Sequence, residues 1–416
     1  MKKIFYCLVA ALVLAACVKE DASIAKVEEV KNPYAVTPDE AVQLLKSVMG
    51  GESTRAISVG EIKTLRKSDF VPTTRGGEDG DVIYIVDLEN GGSAVMGADK
   101  RMEPIYAILD ETKISAEKLT LTATRTDDGE QDIEEYVLGL MNNKIQADAR
   151  AISLPEMPIV PRPQRYTQTI NILTKAPLLR TKWQSAAPYS NAFPSGIGLH
   201  CGPIALSQLY YYNRFPANIG NRYFNWTLIS EYEIDGNKSA FAAAEVADFV
   251  YSVAMSMEGP GENDKMTKIG GVLYSMNNAG YLSVQNKDYN TSDIRIMLSR
   301  NTPCIVYGDD PNYPIEIGHH AWLIDGCNFF DYNTYEREFD GLNPNIYTDT
   351  LISSVQTRLV HCNYGWGGEA DGYYNSEVFN LSEIREDEYI DTSVGDKQMS
   401  VGVYYSNNLG LIYYEK

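Results

Sequence analysis

The chain has 416 residues, with 36 lysines and arginines against 56 aspartates and glutamates, so its formal net charge is −20. Hydrophobic residues make up 44% and charged residues 22%, which is the balance of a globular protein and excludes a largely disordered one. No basic stripe follows the first three residues, and this excludes nucleic-acid binding, because phosphate contacts depend on clustered lysine and arginine. The length predicts two domains, or three at most.

The N-terminus reads as an export signal. Two lysines precede an apolar stretch over residues 4–16, which is too short to cross a bilayer as a helix but typical of a secretory signal. Residues 14–17 read Leu-Ala-Ala-Cys and resemble a bacterial lipoprotein box, so we expect a signal peptide over residues 1–16, a lipid on Cys17 and a tether over residues 17–35. An ordinary signal peptide, with Cys17 incidental, is the alternative. The expected location is the outer membrane or the cell surface.

Cysteine usage leaves two possibilities for the exported chain. Without Cys7 and Cys17, four cysteines remain, and in an oxidising compartment they could form two disulfides. If one of them works as a thiolate, at least one other must be a buried thiol. Cys304, Cys327 and Cys362 lie in apolar runs, and we expect all three to be buried.

Residues 36–147 predict a small α+β domain. Thr37 is placed to cap a helix that starts at Pro38, and an apolar face follows, ending before two glycines. This face is formed by Ala41, Leu44, Leu45 and Val48. Two strands over 82–88 and 93–97 are joined by an Asn-Gly hairpin turn, and a helix is expected around 129–145.

Residues 148–167 predict the domain boundary. Four prolines in this stretch argue against a helix or a central strand and favour an exposed, extended, protease-sensitive linker. They are Pro155, Pro158, Pro161 and Pro163.

Residues 168–416 predict a larger domain in which helices precede strands. Helices are expected over 201–212, 240–257, 265–279 and 293–299, and strands over 304–307, 320–325, 359–363 and 401–405. Helices followed by antiparallel strands indicate an α+β layout.

Cys201 is the first candidate for chemistry. Pro203 is tolerated only in the first turn of a helix, so Cys201 lies at or beside a helix N-terminus. There the helix dipole and the exposed N–H groups favour a thiolate. A buried structural cysteine is the alternative interpretation.

Two further motifs lie downstream. His319 and His320 follow a glycine and precede an apolar run, and on a strand they point to opposite faces, so one of them can face a given cleft. Asn363 heads a Gly-Trp-Gly-Gly run and could present its side-chain oxygen to an imidazole. From the residues alone, two alternatives stay open. Either histidine could be an ordinary core or surface residue, and the run after Asn363 could be a glycine-rich turn with an aromatic packed over it.

Taken in order, these motifs resemble the streptopain family of papain-like cysteine peptidases. The matching features are a cysteine at a helix start with Gln208 seven residues later, Gly-His-Ala-like and Ile-Asp-Gly segments around His320, and the Asn-x-Gly-Trp-Gly-Gly run from Asn363. The N-terminal region is similar to the family propeptide. The resemblance implies a papain-like fold, with a helical half and an antiparallel sheet half at 168–416, preceded by an inhibitory propeptide domain at 36–147.

The resemblance also implies roles. Cys201 would attack a peptide carbonyl as a thiolate, and His320 would protonate the leaving amine and then activate water. Asn363 would orient His320, Trp366 would shield their contact, and the Gln184 amide with the N–H of Cys201 would form the oxyanion hole. The partners would be protein or peptide substrates, the chain's own propeptide as an intramolecular inhibitor, and the membrane through Cys17. We expect no cofactor and no metal.

Some positions depart from the family pattern. His200, Gly202 and Pro203 flank the cysteine where the family usually has Gly before it and Val-Ala after it, and Tyr364 replaces a usual tryptophan. Compared with the founding member of the family, about 27 extra residues separate the histidine strand from the asparagine turn. Two alternative functions stay open. A papain-like peptidoglycan amidase would use the same cysteine, histidine and orienting polar residue, and the unusual residues around Cys201 favour an inactive surface lipoprotein that binds protein.

Overall fold

A long antiparallel sheet organises the fold. The structure is a computed structural model that describes residues 32, 34–49, 58–72, 79–89, 91–120, 133–152, 164–195, 197–233, 238–257, 269–309, 319–340, 343–379 and 407–415. The chain divides into two units, Met1–Ala35 and Val36–Lys416. Of the first unit, only residues 32, 34 and 35 are described, so the predicted signal peptide over residues 1–16 and Cys17 lie outside the described residues.

Helix α1 begins as its sequence predicts. It covers Pro38–Met49 and buries the four residues of the expected apolar face. The backbone N–H of Thr37 donates to Glu40 Oε2 at 2.7 Å, and the N–H of Glu40 donates to Thr37 Oγ1 at 3.2 Å. This reciprocal capping box satisfies two N–H groups that have no partner within the helix.

The rest of the N-terminal region is a four-stranded meander with two helices. Its elements are β1 (Val59–Arg66), β2 (Asp81–Leu88), β3 (Ser93–Gly97), β4 (Ile105–Leu109), α2 (Ala116–Thr120) and α3 (Ile133–Ala151). The predicted hairpin is confirmed, and Gly91 adopts a positive φ of 100° in its turn. No strand was predicted for the segment that contains β1.

The predicted linker is partly structured. Residues 148–151 complete α3, so the prediction that this stretch forms no helix is wrong there, because Ala149 and Ile152 are buried against the core. Residues 153–163 lie outside the described residues, and strand β5 (Gln164–Lys175) then begins.

The C-terminal region contains the predicted helices in order, but four strands that were not predicted lie before and among them. Its helices are α4 (Cys201–Asn213), α5 (Trp226–Ile229), α6 (Ala240–Ser256), α7 (Ile269–Ala279) and α8 (Thr291–Ser299). Its strands are β6 (Asn218–Ile219), β7 (Arg222–Tyr223), β8 (Leu282–Asp288), β9 (Cys304–Asp309), β10 (His319–Asp340), β11 (Asn343–Asn363), β12 (Gly372–Asn375) and β13 (Asn407–Glu415). The four strands that were not predicted are β5 to β8. The strand predicted over 401–405 lies outside the described residues.

One sheet runs through both regions. Its order is β1-β2-β3-β4-β12-β11-β10-β9-β13-β8, and β5 pairs with β10 away from this path. The two regions meet where β4 pairs with β12, with Leu109 opposite Gly372 and Ala107 opposite Tyr374. The predicted α+β fold class is confirmed, with a helical half and an antiparallel sheet half preceded by a small α+β region.

Helix α4 runs through the core of the C-terminal region. Eleven of its 13 residues are buried, which is why its sequence is apolar all round rather than amphipathic. Cys304, Cys327 and Cys362 are buried thiols, as predicted. Within the described part of the chain, no helix is long and apolar enough to span a membrane.

Candidate active site

Cys201 is the first residue of α4. His200 is the N-cap residue, with an extended backbone at φ −101° and ψ 169°, and Pro203 lies in the first turn, where its missing N–H costs no helical hydrogen bond. The predicted position of Cys201 at a helix N-terminus is therefore confirmed. The residue is half-buried, whereas the next ten residues of the helix are almost all buried.

The thiol of Cys201 faces backbone N–H groups, yet the balance of its surroundings raises its pKa. Burial raises the pKa of the thiol by more than hydrogen bonds from the N–H groups of Ala321, Gly202 and Cys201 itself lower it. The expectation that the helix terminus alone would lower this pKa is wrong for the structure as folded, because removing a thiolate from water costs more than these contacts return.

His320 lies beneath a set of aromatic rings. Its side chain is 7% exposed, and the Trp366 ring stacks on it with centroids 4.3 Å apart and planes 24° apart. The rings of Trp322 and Tyr364 stack nearby, at 5.8 and 6.1 Å. Burial lowers the pKa of His320 to about 3, so the imidazole is neutral at physiological pH.

The structure brings Cys201 and His320 to the same place. The N–H that contacts the sulfur belongs to Ala321, the residue after His320 on β10. Both pKa shifts favour a neutral thiol beside a neutral imidazole, whereas nucleophilic catalysis needs a thiolate. The backbone beside His320 therefore reaches the sulfur of Cys201, and the pairing of the thiol with the imidazole itself stays a prediction.

Asn363 is directed at helix α4. Its Oδ1 accepts hydrogen bonds from Gln208 Nε2 at 3.0 Å and from the Gly365 N–H at 3.1 Å, and its Nδ2 donates to the Thr181 carbonyl at 2.7 Å. An amide oxygen has two lone pairs, and both are used here. The carboxamide therefore does not face the imidazole as the sequence interpretation supposed, and the orienting role of Asn363 stays a prediction.

Gln184 lies beside the glycine-rich turn that follows Asn363. It is exposed, and its Oε1 is 3.3 Å from the position that a Cβ on Gly367 would occupy. The N–H of Gly367 donates to the carbonyl of the preceding residue, Trp183, at 3.1 Å. These contacts fix Gln184 against the turn, and its part in an oxyanion hole stays a prediction.

Some polar residues near the site had no predicted role. Gln208 and Thr181 contact Asn363, and the i to i+7 spacing from Cys201 to Gln208 was the available signal, since residues seven apart share a helix face. His361 lies on β11. Its Nδ1 is 2.6 Å from Asp325 Oδ1, and its Nε2 is 3.3 Å from Asp110 Oδ2. No sequence signal links these three.

A segment of the N-terminal region adjoins the turn that carries Trp366. The N–H of Asp110 donates to the Asp371 carbonyl at 3.3 Å, and the N–H of Ala370 donates to Thr112 Oγ1 at 3.3 Å. A further ion pair, 2.7 Å long, joins Lys182 Nζ to Glu111 Oε2. Residues 110–112 thus contact both the C-terminal end of this turn and Lys182.

The sequence over residues 217–374 matches the model of the Peptidase C10 family. The chain is a cysteine-type peptidase, and its resemblance to the streptopain family is confirmed. The matched range contains His320, Asn363 and Trp366, and it begins after Gln184 and Cys201. No curated protein matches the sequence.

Two solved structures of Prevotella intermedia are similar to this chain. A prointerpain A fragment is 16% identical, covers 84% of this chain and 98% of its own, and superposes with a TM-score of 0.45. The active interpain A cysteine protease is 17% identical, covers 57% of this chain and 93% of its own, and gives a TM-score of 0.37.

Proposed function

We propose that this protein is the precursor of an exported cysteine endopeptidase that hydrolyses peptide bonds of proteins. The thiolate of Cys201 attacks the substrate carbonyl, and the imidazolium of His320 gives a proton to the leaving amine. The imidazole then activates water, which releases the acyl group from the sulfur and restores the thiol. The N–H of Cys201 and the Gln184 amide stabilise the oxyanion.

One observation carries this proposal. The Cys201 sulfur lies at the start of α4 against the N–H of the residue after His320, while Trp366 covers the ring of His320. Cysteine thiols in structural roles are inert because they lack such a neighbourhood of N–H groups and an adjacent base.

The N-terminal region acts as a propeptide in this proposal. The contacts of residues 110–112 with the Trp366 turn support an uncharged, inactive pair in the precursor. Cleavage in the proline-rich linker over residues 148–167 would separate the two regions. Departure of residues 110–112 would then let the turn move, admit water to His320 and permit the charged pair. Lipid attachment at Cys17 would keep the precursor at the outer membrane or cell surface, and cleavage would release the enzyme.

A casein zymogram of the purified chain, combined with N-terminal sequencing of the active band, tests this function. We expect a band that starts within or just after residues 148–167 and that reacts with a thiol-directed epoxide. Cys201→Ala should abolish both hydrolysis and labelling, although three buried thiols remain. His320→Ala should also lose hydrolysis. The matched control His200→Ala should keep it, because the exposed His200 side chain makes no capping hydrogen bond. Equal hydrolysis by Cys201→Ala would overturn the proposal, and hydrolysis of cross-linked peptidoglycan in place of casein would favour an amidase.

The lipid anchor has its own test. Radiolabelled fatty acid should be incorporated into the chain in a bacterial host and lost in Cys17→Ser, whereas Cys7→Ser should retain the label. Label that persists in Cys17→Ser would contradict the anchor and leave the peptidase proposal intact.

A further inference from the structure

Three buried polar side chains form a closed ring of hydrogen bonds behind the candidate active site. Thr181 Oγ1 donates to Gln208 Oε1 at 2.6 Å, Gln208 Nε2 donates to Asn363 Oδ1 at 3.0 Å, and Asn363 Nδ2 returns to the Thr181 carbonyl at 2.7 Å. The three residues are at most 4% exposed. Each bond sets the direction of the next, so the ring fixes which way both amides point.

The ring joins the helix that carries Cys201 to the turn that covers His320. Gln208 lies two turns after Cys201 on the same face of α4, about 10 Å along the axis. Asn363 ends β11, and its Oδ1 also accepts the N–H of Gly365, one residue before Trp366.

The turn approaches the helix closely. Gly365 has a φ of 75°, and a Cβ there would lie 2.7 Å from Ile204 Cγ2 and 3.8 Å from Gln208 Nε2. The backbone of the turn therefore packs directly on α4, one turn of helix beyond Cys201. The position of the Trp366 ring over His320 follows from this contact and from the direction of the Asn363 amide.

We propose that Gln208, oriented by Thr181, is a positioning residue for the Cys201–His320 pair: it fixes the Asn363 amide and thereby keeps Trp366 over His320 in register with the cysteine helix. This inference rests on the proposed function and assigns Asn363 a different part in it. Asn363 connects the turn to α4, and the imidazole is oriented by the stacked ring rather than by an amide oxygen.

The test compares variants that differ by few atoms. Thr181→Val removes the hydroxyl donor at nearly constant volume, and Thr181→Ser restores it. Gln208→Glu replaces the Nε2 donor by a carboxylate oxygen, so that two acceptors face each other at Asn363 Oδ1. Thr357→Val makes the same exchange at a buried threonine of β11 outside the ring and is the matched control.

The measurement is the rate of Cys201 alkylation by iodoacetamide from pH 4 to 9 in the processed enzyme. Rates and kcat/KM on a peptide substrate are normalised to active sites titrated with a thiol-directed epoxide, so misfolded molecules do not contribute. In Thr181→Val and Gln208→Glu we expect the acid limb of the alkylation profile to move toward the ordinary thiol pKa of about 8.5. We also expect kcat to fall about tenfold or more, with KM changed less, because the reacting groups are displaced.

Two variants serve as controls for the positioning role of Gln208, and two outcomes would contradict it. Thr181→Ser should recover the wild-type limb, and Thr357→Val should keep it. If Thr181→Val and Gln208→Glu have the wild-type limb and kcat per active site, the positioning role is wrong while the proposed function stands. If the wild-type enzyme itself shows only an ordinary thiol profile, the proposed function is wrong and this inference falls with it.

Discussion

Asp325 Oδ1 lies 2.6 Å from His361 Nδ1, and the pair is buried at the junction of the two regions of the chain. Asp325 is the extra residue of a β-bulge, because Ile324 pairs with Cys362 while Gly326 pairs with His361. A bulge re-aims side chains, and here it directs a carboxylate at the neighbouring strand. The other nitrogen of His361 lies 3.3 Å from Asp110 Oδ2, in the region we propose to be the propeptide.

This cluster makes the stability of the precursor depend on pH. Burial alone lowers the pKa of His361, but the charge of Asp325 and hydrogen bonds to Asp110 and Asp325 outweigh it and raise the pKa well above 6.5. Nearby, burial raises the pKa of Asp371 to about 7. The ring of Tyr373, on β12, contacts His361 edge-on.

Both shifts have the same sign for stability. Protonated His361 contributes its full stabilisation below pH 6.5 and loses it as pH rises through the raised pKa. Asp371 also binds its proton more tightly when folded, so the free energy of unfolding falls as pH rises from about 4 to about 7. We therefore expect the precursor to unfold at lower temperature at pH 8 than at pH 6, measured by calorimetry of Cys201→Ala.

Asp110→Asn tests how much of this pH dependence comes from the ion pair between His361 and Asp110, which joins the C-terminal and N-terminal regions. The carboxylate of Asp110 is 46% exposed, so we expect a loss of about 1 kcal/mol at pH 6 and a shallower decline with rising pH. Asp81→Asn, at an exposed carboxylate 3.9 Å from Arg66, is the control and should lie within about 0.5 kcal/mol of the parent. An Asp110→Asn profile parallel to that of the parent would refute the cross-region ion pair.

Trp366→Ala should raise the pKa of His320 in the precursor. Burial lowers this pKa to about 3, and the stacked ring 4.3 Å away supplies part of that burial. We expect the imidazole to titrate closer to 6.5 in Trp366→Ala, as followed by NMR in a Cys201→Ala background. Trp366→Phe keeps a ring over the imidazole and should shift the pKa less. An unchanged His320 titration in Trp366→Ala would mean that other groups desolvate the imidazole.

Gly365→Ala should destabilise the fold. The positive φ disfavours a side chain, and a Cβ would lie 2.7 Å from Ile204 Cγ2, so we expect a loss of about 2–4 kcal/mol in the free energy of unfolding. Gly270→Ala, in α7, is the matched control, because its Cβ would meet nothing within 4 Å. It should be neutral or stabilising by about 1 kcal/mol. Equal stability of the two variants would contradict the close contact between the turn and α4.

The sequence predicts the elements whose signals are local. The cap and apolar face of α1, the glycine hairpin after β2 and the helix start at Cys201 all follow from a few neighbouring residues, and the structure reproduces them. Cys201 and His320 could likewise be assigned to one site from their motifs. The family resemblance, rather than periodicity, linked them.

Several strands were not predicted, or were predicted too short. β5 is mostly exposed along its length, and β10 and β11 continue as a long hairpin far beyond the buried stretches expected at 320–325 and 359–363. Such strands lack the alternation of apolar and polar residues that marks a half-buried strand.

Side-chain partners in the site could not be predicted for a different reason. Asn363 could have faced an imidazole. Instead, its side-chain oxygen accepts hydrogen bonds from the Gly365 N–H in the turn and from Gln208 on α4. The contact of Asp325 with His361 depends on a bulge, which shifts the register by one residue. Both outcomes depend on tertiary geometry that no single motif encodes.

The pH dependence of Cys201 alkylation in the processed enzyme, compared between wild type and His320→Ala, tests the central claim most directly. We expect wild-type Cys201 to react rapidly well below pH 8.5. His320→Ala should react only as an ordinary thiol, with its rate rising around pH 8.5. Identical profiles for the two proteins would show that His320 does not activate the sulfur, and would contradict the cysteine–histidine pair.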